Sequence, residues 1–102
     1  MGVIELDATD WLNILDAYDA LMRALGSPEW HGKNINALID SMVYGGINRV
    51  DPPYLIRIRG TAKCPENIRQ EVELWAGAIR KARADQRQRY GKETNVGFEI
   101  SP

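Results

Sequence analysis

Three short segments of strand character, residues 3–6, 54–59 and 95–100, are separated by much longer stretches in which apolar residues recur with helical period. In the middle segment Tyr54, Ile56 and Ile58 alternate with Leu55, Arg57 and Arg59, which predicts one face turned inward and one toward water. Strands so far apart in sequence are not joined by tight hairpins. Helical crossovers join parallel neighbours, and their right-handedness puts the helices on one face when the strands are laid down in chain order. The expected class is therefore α/β: a two-layer domain in which a three-stranded parallel sheet is covered by three helices. The 102 residues suffice for one such domain, residues 1–102, and 44% hydrophobic residues suffice for its core.

The helices have recognisable ends. Asp7, Thr9 and Asp10 are good starting residues for a first helix, along which Trp11, Ile14, Leu15, Tyr18, Leu21, Met22 and Leu25 form an apolar stripe stopped by Gly26. Asn34 is a good N-cap for a second, short helix over residues 35–43. Pro65 and Glu66 have the composition of a first turn, with Ile68, Val72, Trp75, Ile79 and Ala82 in helical period behind them and Gly91 as the stop. The core is expected to hold Trp11, Leu15, Leu38, Ile56, Trp75 and Ile79. Trp30, Asn36, Ile39 and Asp40 are expected to stay exposed.

Several function classes find little support. The formal net charge of -1 announces no nucleic-acid or membrane partner, although residues 1–40 hold seven acids against two bases and the remainder is correspondingly basic. Cys64 is the only cysteine, which fits a reducing compartment, and the amino-terminal residues have neither the basic nor the apolar region of a signal peptide. The cytoplasm is the expected location. With one histidine, no cysteine pair, no phosphate-binding glycine loop and no GxSxG, the sequence predicts no enzyme, no metal site and no cofactor.

Two stretches could carry function. Arg80, Lys81, Arg83, Arg87, Arg89 and Lys92 make the end of the third helix basic, which suits an RNA-binding module or merely a solvated helix end offsetting its dipole. In the second helix, Ile35, Leu38 and Met42 share an inward face. Asn36 and Asp40, four residues apart, point together elsewhere, flanked by Ile39 and Val43. A polar pair beside apolar residues that the core does not fully cover has the character of a partner-binding face.

The stretch Pro28-Glu29-Trp30-His31-Gly32-Lys33-Asn34-Ile35-Asn36-Ala37-Leu38-Ile39-Asp40 resembles the barstar family's run of proline, glutamate, two aromatics, glycine, any residue, asparagine, apolar, acid, alanine, leucine, any residue, aspartate. The order of strands and helices is similar over nearly the whole chain. The resemblance implies an intracellular inhibitor, or immunity protein, that fills the active site of a ribonuclease with its loop and second helix. That enzyme would be basic, and secreted or delivered to competitors. Acidic side chains would take the places of substrate phosphates. Asp40 falls on the family's central aspartate, Trp30 on its first aromatic, Asn34 on its asparagine and Gly32 on the glycine that lets the loop turn. His31 replaces an aromatic, where it could donate to a partner. Asn36 replaces a second acid, Ile39 a tryptophan, and Lys81 an acid of the third helix. Tyr44 could substitute for a tryptophan where Gly45 stands, and the turn spanning residues 86–94 is longer. The implied contact set is Trp30, His31, Gly32, Asn34, Asn36, Ile39, Asp40 and Tyr44. The less acidic face points to a ribonuclease other than the family's best-known target, or to another toxin or regulatory protein.

Overall fold

A computed structural model describes residues 2–102. Strand β1 (Gly2–Asp7) is followed by helix α1 (Ile14–Leu25), helix α2 (Ile35–Ile39) continuing into a π-helical turn (Asp40–Tyr44), strand β2 (Tyr54–Arg59), helix α3 (Glu66–Tyr90) and strand β3 (Val96–Ile100). The sheet order is β1-β2-β3 and both pairings are parallel. The fold class is the α/β arrangement expected.

Register explains how one face of this sheet becomes the core. Pairing places Ile4, Ile56 and Phe98 in one row across the strands, with Gly2, Tyr54 and Val96 on one side of it and Leu6, Ile58 and Ile100 on the other. These rows pack with Leu21, Leu25, Leu38, Met42, Val72, Trp75 and Ile79 in one apolar cluster. Trp75 is fully buried, its ring tilted against those of Tyr18 and Phe98 at centroid distances of 5.0 and 5.9 Å.

The opposite face carries charge. Glu5, Arg57 and Glu99 are aligned by the register, with Arg57 Nε 3.1 Å from Glu99 Oε1 and Arg57 Nη1 3.8 Å from Glu5 Oε1. Parallel sheets are ordinarily covered on both faces. Here alternating arginines and glutamates let the second face meet water.

Helix α1 begins later than expected. The chain continues the sheet as far as Ala8, whose N–H donates to Arg59 O, and a turn closed by Trp11 N–H to Ala8 O tucks Trp11 into the core ahead of the helix. Asn13 is the N-cap, accepting from Asp16 N–H at 2.9 Å, while Asp16 Oδ2 accepts from Leu12 N–H. The buried arc then comprises Ala17, Tyr18, Leu21, Met22 and Leu25. At about 100° per residue, Leu15 projects roughly 90° from the middle of that arc. It is 55% exposed, contrary to its expected burial.

The other five residues expected in the core are buried. In a urea titration, Ile56→Ala should lower the unfolding free energy by about 2–5 kcal/mol and Leu15→Ala by no more than about 0.5 kcal/mol.

Alkali should also destabilise the fold. Burial, reinforced by its hydrogen bond to Glu71, pushes the Tyr18 hydroxyl up to about 12 from its ordinary 10.0. Burial likewise raises Tyr54 and Cys64. Because the unfolded tyrosine ionises first, Tyr18's contribution is complete below pH 10 and is lost as the pH climbs through about 12. Tyr18→Phe should therefore lose less stability between those values than the parent chain, as read by chemical denaturation at successive pH.

Candidate functional site

Helix α1 ends at Gly26, which adopts φ 66°, and a Cβ there would lie 2.7 Å from Arg49 Cβ. The position thus needs both the left-handed conformation and the missing side chain. The returning segment is fixed to this end by Arg49 N–H to Gly26 O and Val50 N–H to Leu25 O. From there the chain makes a turn closed by His31 N–H to Pro28 O at 3.0 Å. Glu29 and Trp30 occupy its central positions, and Trp30 is 75% exposed.

His31, expected on the contact surface, lies inside: it is 6% exposed. Its Nδ1 is 2.7 Å from Gly32 O, an acceptor, so Nδ1 carries the proton; its Nε2 is 2.8 Å from Ser41 Oγ, whose hydroxyl can donate to it. The imidazole thereby ties the loop to the π-helical turn. Gly32, the expected loop glycine, does not adopt a positive φ. Its role is close approach: a Cβ would lie 2.8 Å from Asn34 Nδ2 and 3.3 Å from Ala37 Cβ. Asn34 caps α2, its Oδ1 accepting from Ala37 N–H at 2.8 Å.

The second helix divides into α2 and the π-helical turn. Gly45 N–H donates to Asp40 O at 3.0 Å, the five-residue spacing of a π turn. Leu38 and Met42 face the core as expected, but so does Val43, expected beside the presented pair, and Ile39, expected to stay exposed, is half-buried because it packs against the core cluster. Asn36, Asp40 and Tyr44 remain exposed, Tyr44 by 46%. Among the described residues, the Asp40 carboxylate has no ion pair and no hydrogen bond. Lys33, by contrast, is held by Asp19 at 2.7 Å.

Open grooves adjoin both ends of this strip. One of about 430 Å³ is lined by Ile14, Tyr18, Lys33, Ile35, Asn36 and Glu71, with Tyr18 Oη donating to Glu71 Oε2 at 2.7 Å. The other, of about 470 Å³, lies between Tyr44, the Pro52–Pro53 pair and the loop of Lys92, Glu93 and Asn95. The implied contact set did not include Glu71 or this loop; their place beside α2 depends on how α3 packs against it.

The basic end of α3 is paired in part within the chain, whereas Arg80, Lys81 and Lys92 have no ion pair among the described residues. Arg87 pairs with Glu93 and Arg89 with Asp85, and Arg83 donates to Val96 O at 2.8 Å while lying 3.9 Å from Glu93. No helix of the described residues is long and apolar enough to cross a membrane.

A family profile described as Barstar (barnase inhibitor) matches residues 1–99. The chain belongs to the barstar family. No curated protein matches its sequence. Barstar-family proteins are inhibitors of ribonucleases rather than enzymes, and the three-stranded parallel sheet with its helices is consistent with their fold.

The geometry separates supporting residues from presenting ones. Asn34→Ala should cost about 1 kcal/mol through the lost cap, with Asn34→Asp retaining most of the stability, whereas Asn36→Ala should stay within about 0.5 kcal/mol in the same urea titration.

Proposed function

We propose that this chain is an immunity protein that binds a ribonuclease and blocks its active site with the turn at Trp30, helix α2 and the π-helical turn. The observation that carries the reading is Asp40: an exposed carboxylate at the start of the π-helical turn, without ion pair or hydrogen bond among the described residues, in a barstar-family chain that also exposes the rings of Trp30 and Tyr44. Against the phosphate-binding cations of a nuclease, such a carboxylate forms charge-assisted hydrogen bonds. The aromatic rings bury area at low entropy cost. His31, Gly32 and Asn34 hold this surface in shape, and Asn36 and Ile39 complete its rim.

The proposed setting is the cytoplasm of the cell that makes a basic ribonuclease for export or delivery, in keeping with a lone thiol at Cys64. The partner differs from a strongly cationic enzyme of the kind that needs several acids, because Asn36 and exposed Lys81 add none.

Immobilised chain should retain a ribonuclease from the producing cell, and titrating the chain into that enzyme should abolish RNA cleavage at one equivalent. An enzyme that is retained but cleaves undiminished would exclude active-site blockade. Retention of RNA alone, with a salt-sensitive gel shift, would move the function to α3. Asp40→Ala should fold normally and weaken the complex by at least about 2 kcal/mol, mainly through faster dissociation, a hot-spot threshold drawn in part from complexes of this very family. Glu73→Ala, on an exposed position of α3, serves as the control.

A further inference from the structure

The π-helical turn is buried at Val43, its penultimate residue, and the last carbonyls of a helix have no partners within it. Val43 O is one of these. It lies in the core beside two polar side chains that come from elsewhere: Gln86, 2% exposed in the last turns of α3, and Thr94, 7% exposed just before β3. Gln86 Nε2 donates to Val43 O at 3.3 Å. Thr94 Oγ1 lies 3.0 Å from Val43 O and 2.9 Å from Gln86 Oε1, so its single proton serves one acceptor at a time. Every polar side-chain atom of this cluster has a partner.

A glutamine and a threonine buried on either side of the α3–β3 loop add little to an apolar core, because their desolvation offsets most of what their hydrogen bonds contribute. What they do specify is position. Val43 directly precedes Tyr44 and stands three residues after Asp40, so fixing its carbonyl fixes the turn that presents both. We infer that Gln86 and Thr94 are positioning residues for partner binding: they cap the π-helical turn from beneath and hold Asp40 and Tyr44 in the geometry the partner meets. The inference deepens the inhibitor reading and rests on it for the identity of the partner, but the capping itself is a property of the free chain.

Hydrogen exchange in the full-length chain tests the capping. The double variant Gln86→Met/Thr94→Val keeps side-chain volume and leaves Val43 O buried without a donor. The amide of Gly45, which donates to Asp40 O, should exchange about tenfold faster relative to the amide of Trp75, which reports the core. Thr94→Ser, which keeps the hydroxyl, should exchange like the parent. Against the ribonuclease retained by the chain, the double variant should dissociate about tenfold faster and Thr94→Ser at the parental rate.

Gly45 and Trp75 exchanging faster in equal proportion would overturn the inference, since Gln86 and Thr94 would then serve global stability alone. So would local loosening with an unchanged dissociation rate in an assay where Asp40→Ala accelerates it. If the parent chain inhibits no ribonuclease, the inhibitor reading falls by itself. The Gly45 to Trp75 ratio then decides separately whether the two side chains hold the turn.

Discussion

Strand β2 is paired in parallel on both sides, and this commits the chain to crossovers that both lie over the same face of the sheet. Because β1 and β3 pair in register with β2, their inward residues form continuous rows with Tyr54, Ile56 and Ile58, a surface flat enough for α1 and α3 to share. Trp75 fills the space between those helices and the sheet, touching Tyr18 on one side and Phe98 on the other. Helix α2 has no place on the strands themselves. It packs instead on α3 through Leu38 and its neighbours, so its remaining face is left to solvent.

That arrangement leaves the ends of the second helix, more than its middle, to be satisfied by side chains from elsewhere. A helix of so few residues gains little from its own hydrogen bonds and is held by its surroundings. At its start, Asn34 supplies the cap and Gly32 makes room for it. Beneath it, the His31 imidazole links the preceding loop to Ser41. At its end, Gln86 and Thr94 meet Val43 O. The contacts of His31 with Ser41 and of Gln86 and Thr94 with Val43 O satisfy polar groups that would otherwise be buried without a partner, and the cap supplies an amide at the start of the helix.

The strands and the long α3 were legible through periodicity, the alternation at Tyr54–Arg59 above all, and the parallel order through the long helical stretches between the strands. The family resemblance was legible in residues 28–40, where small and polar residues occur at spacings that a loop and a cap require. The start of α1 was not. Asp7, Thr9 and Asp10 have the composition of caps, yet Asp7 instead accepts from Thr9 N–H and Oγ1, bonds that hold its carboxyl below the ordinary carboxylate range, and Asn13 takes the cap. Composition cannot choose between such candidates, because the choice depends on how far β1 continues beside Arg59. His31 was misread for a related reason: a lone histidine in a loop looks available until Ser41, ten residues on, is brought beneath it. The π-helical turn left no signal in the apolar spacing, and the Gln86–Thr94 cluster lay within a stretch whose arginines drew attention to its surface.

Charge on the presented face sets what kind of recognition it can support. Lys33 is engaged with Asp19, Asn36 is neutral, and Asp40 and Glu29 are exposed acids, Asp40 without a partner among the described residues. Such a face exerts a modest long-range field, screened within roughly 8 Å at physiological ionic strength. On the proposed reading, discrimination among ribonucleases then comes less from attraction at a distance than from desolvation at contact. Covering Asp40 is costly unless a cation meets it with good geometry, and covering Trp30 and Tyr44 is favourable only where the partner's surface follows their rings. An enzyme that supplied the cation without the shape would gain too little apolar burial, and one with the shape but no cation would strand the carboxylate. On that reading, the joint requirement for a cation and a matching surface is what would separate one enzyme from another.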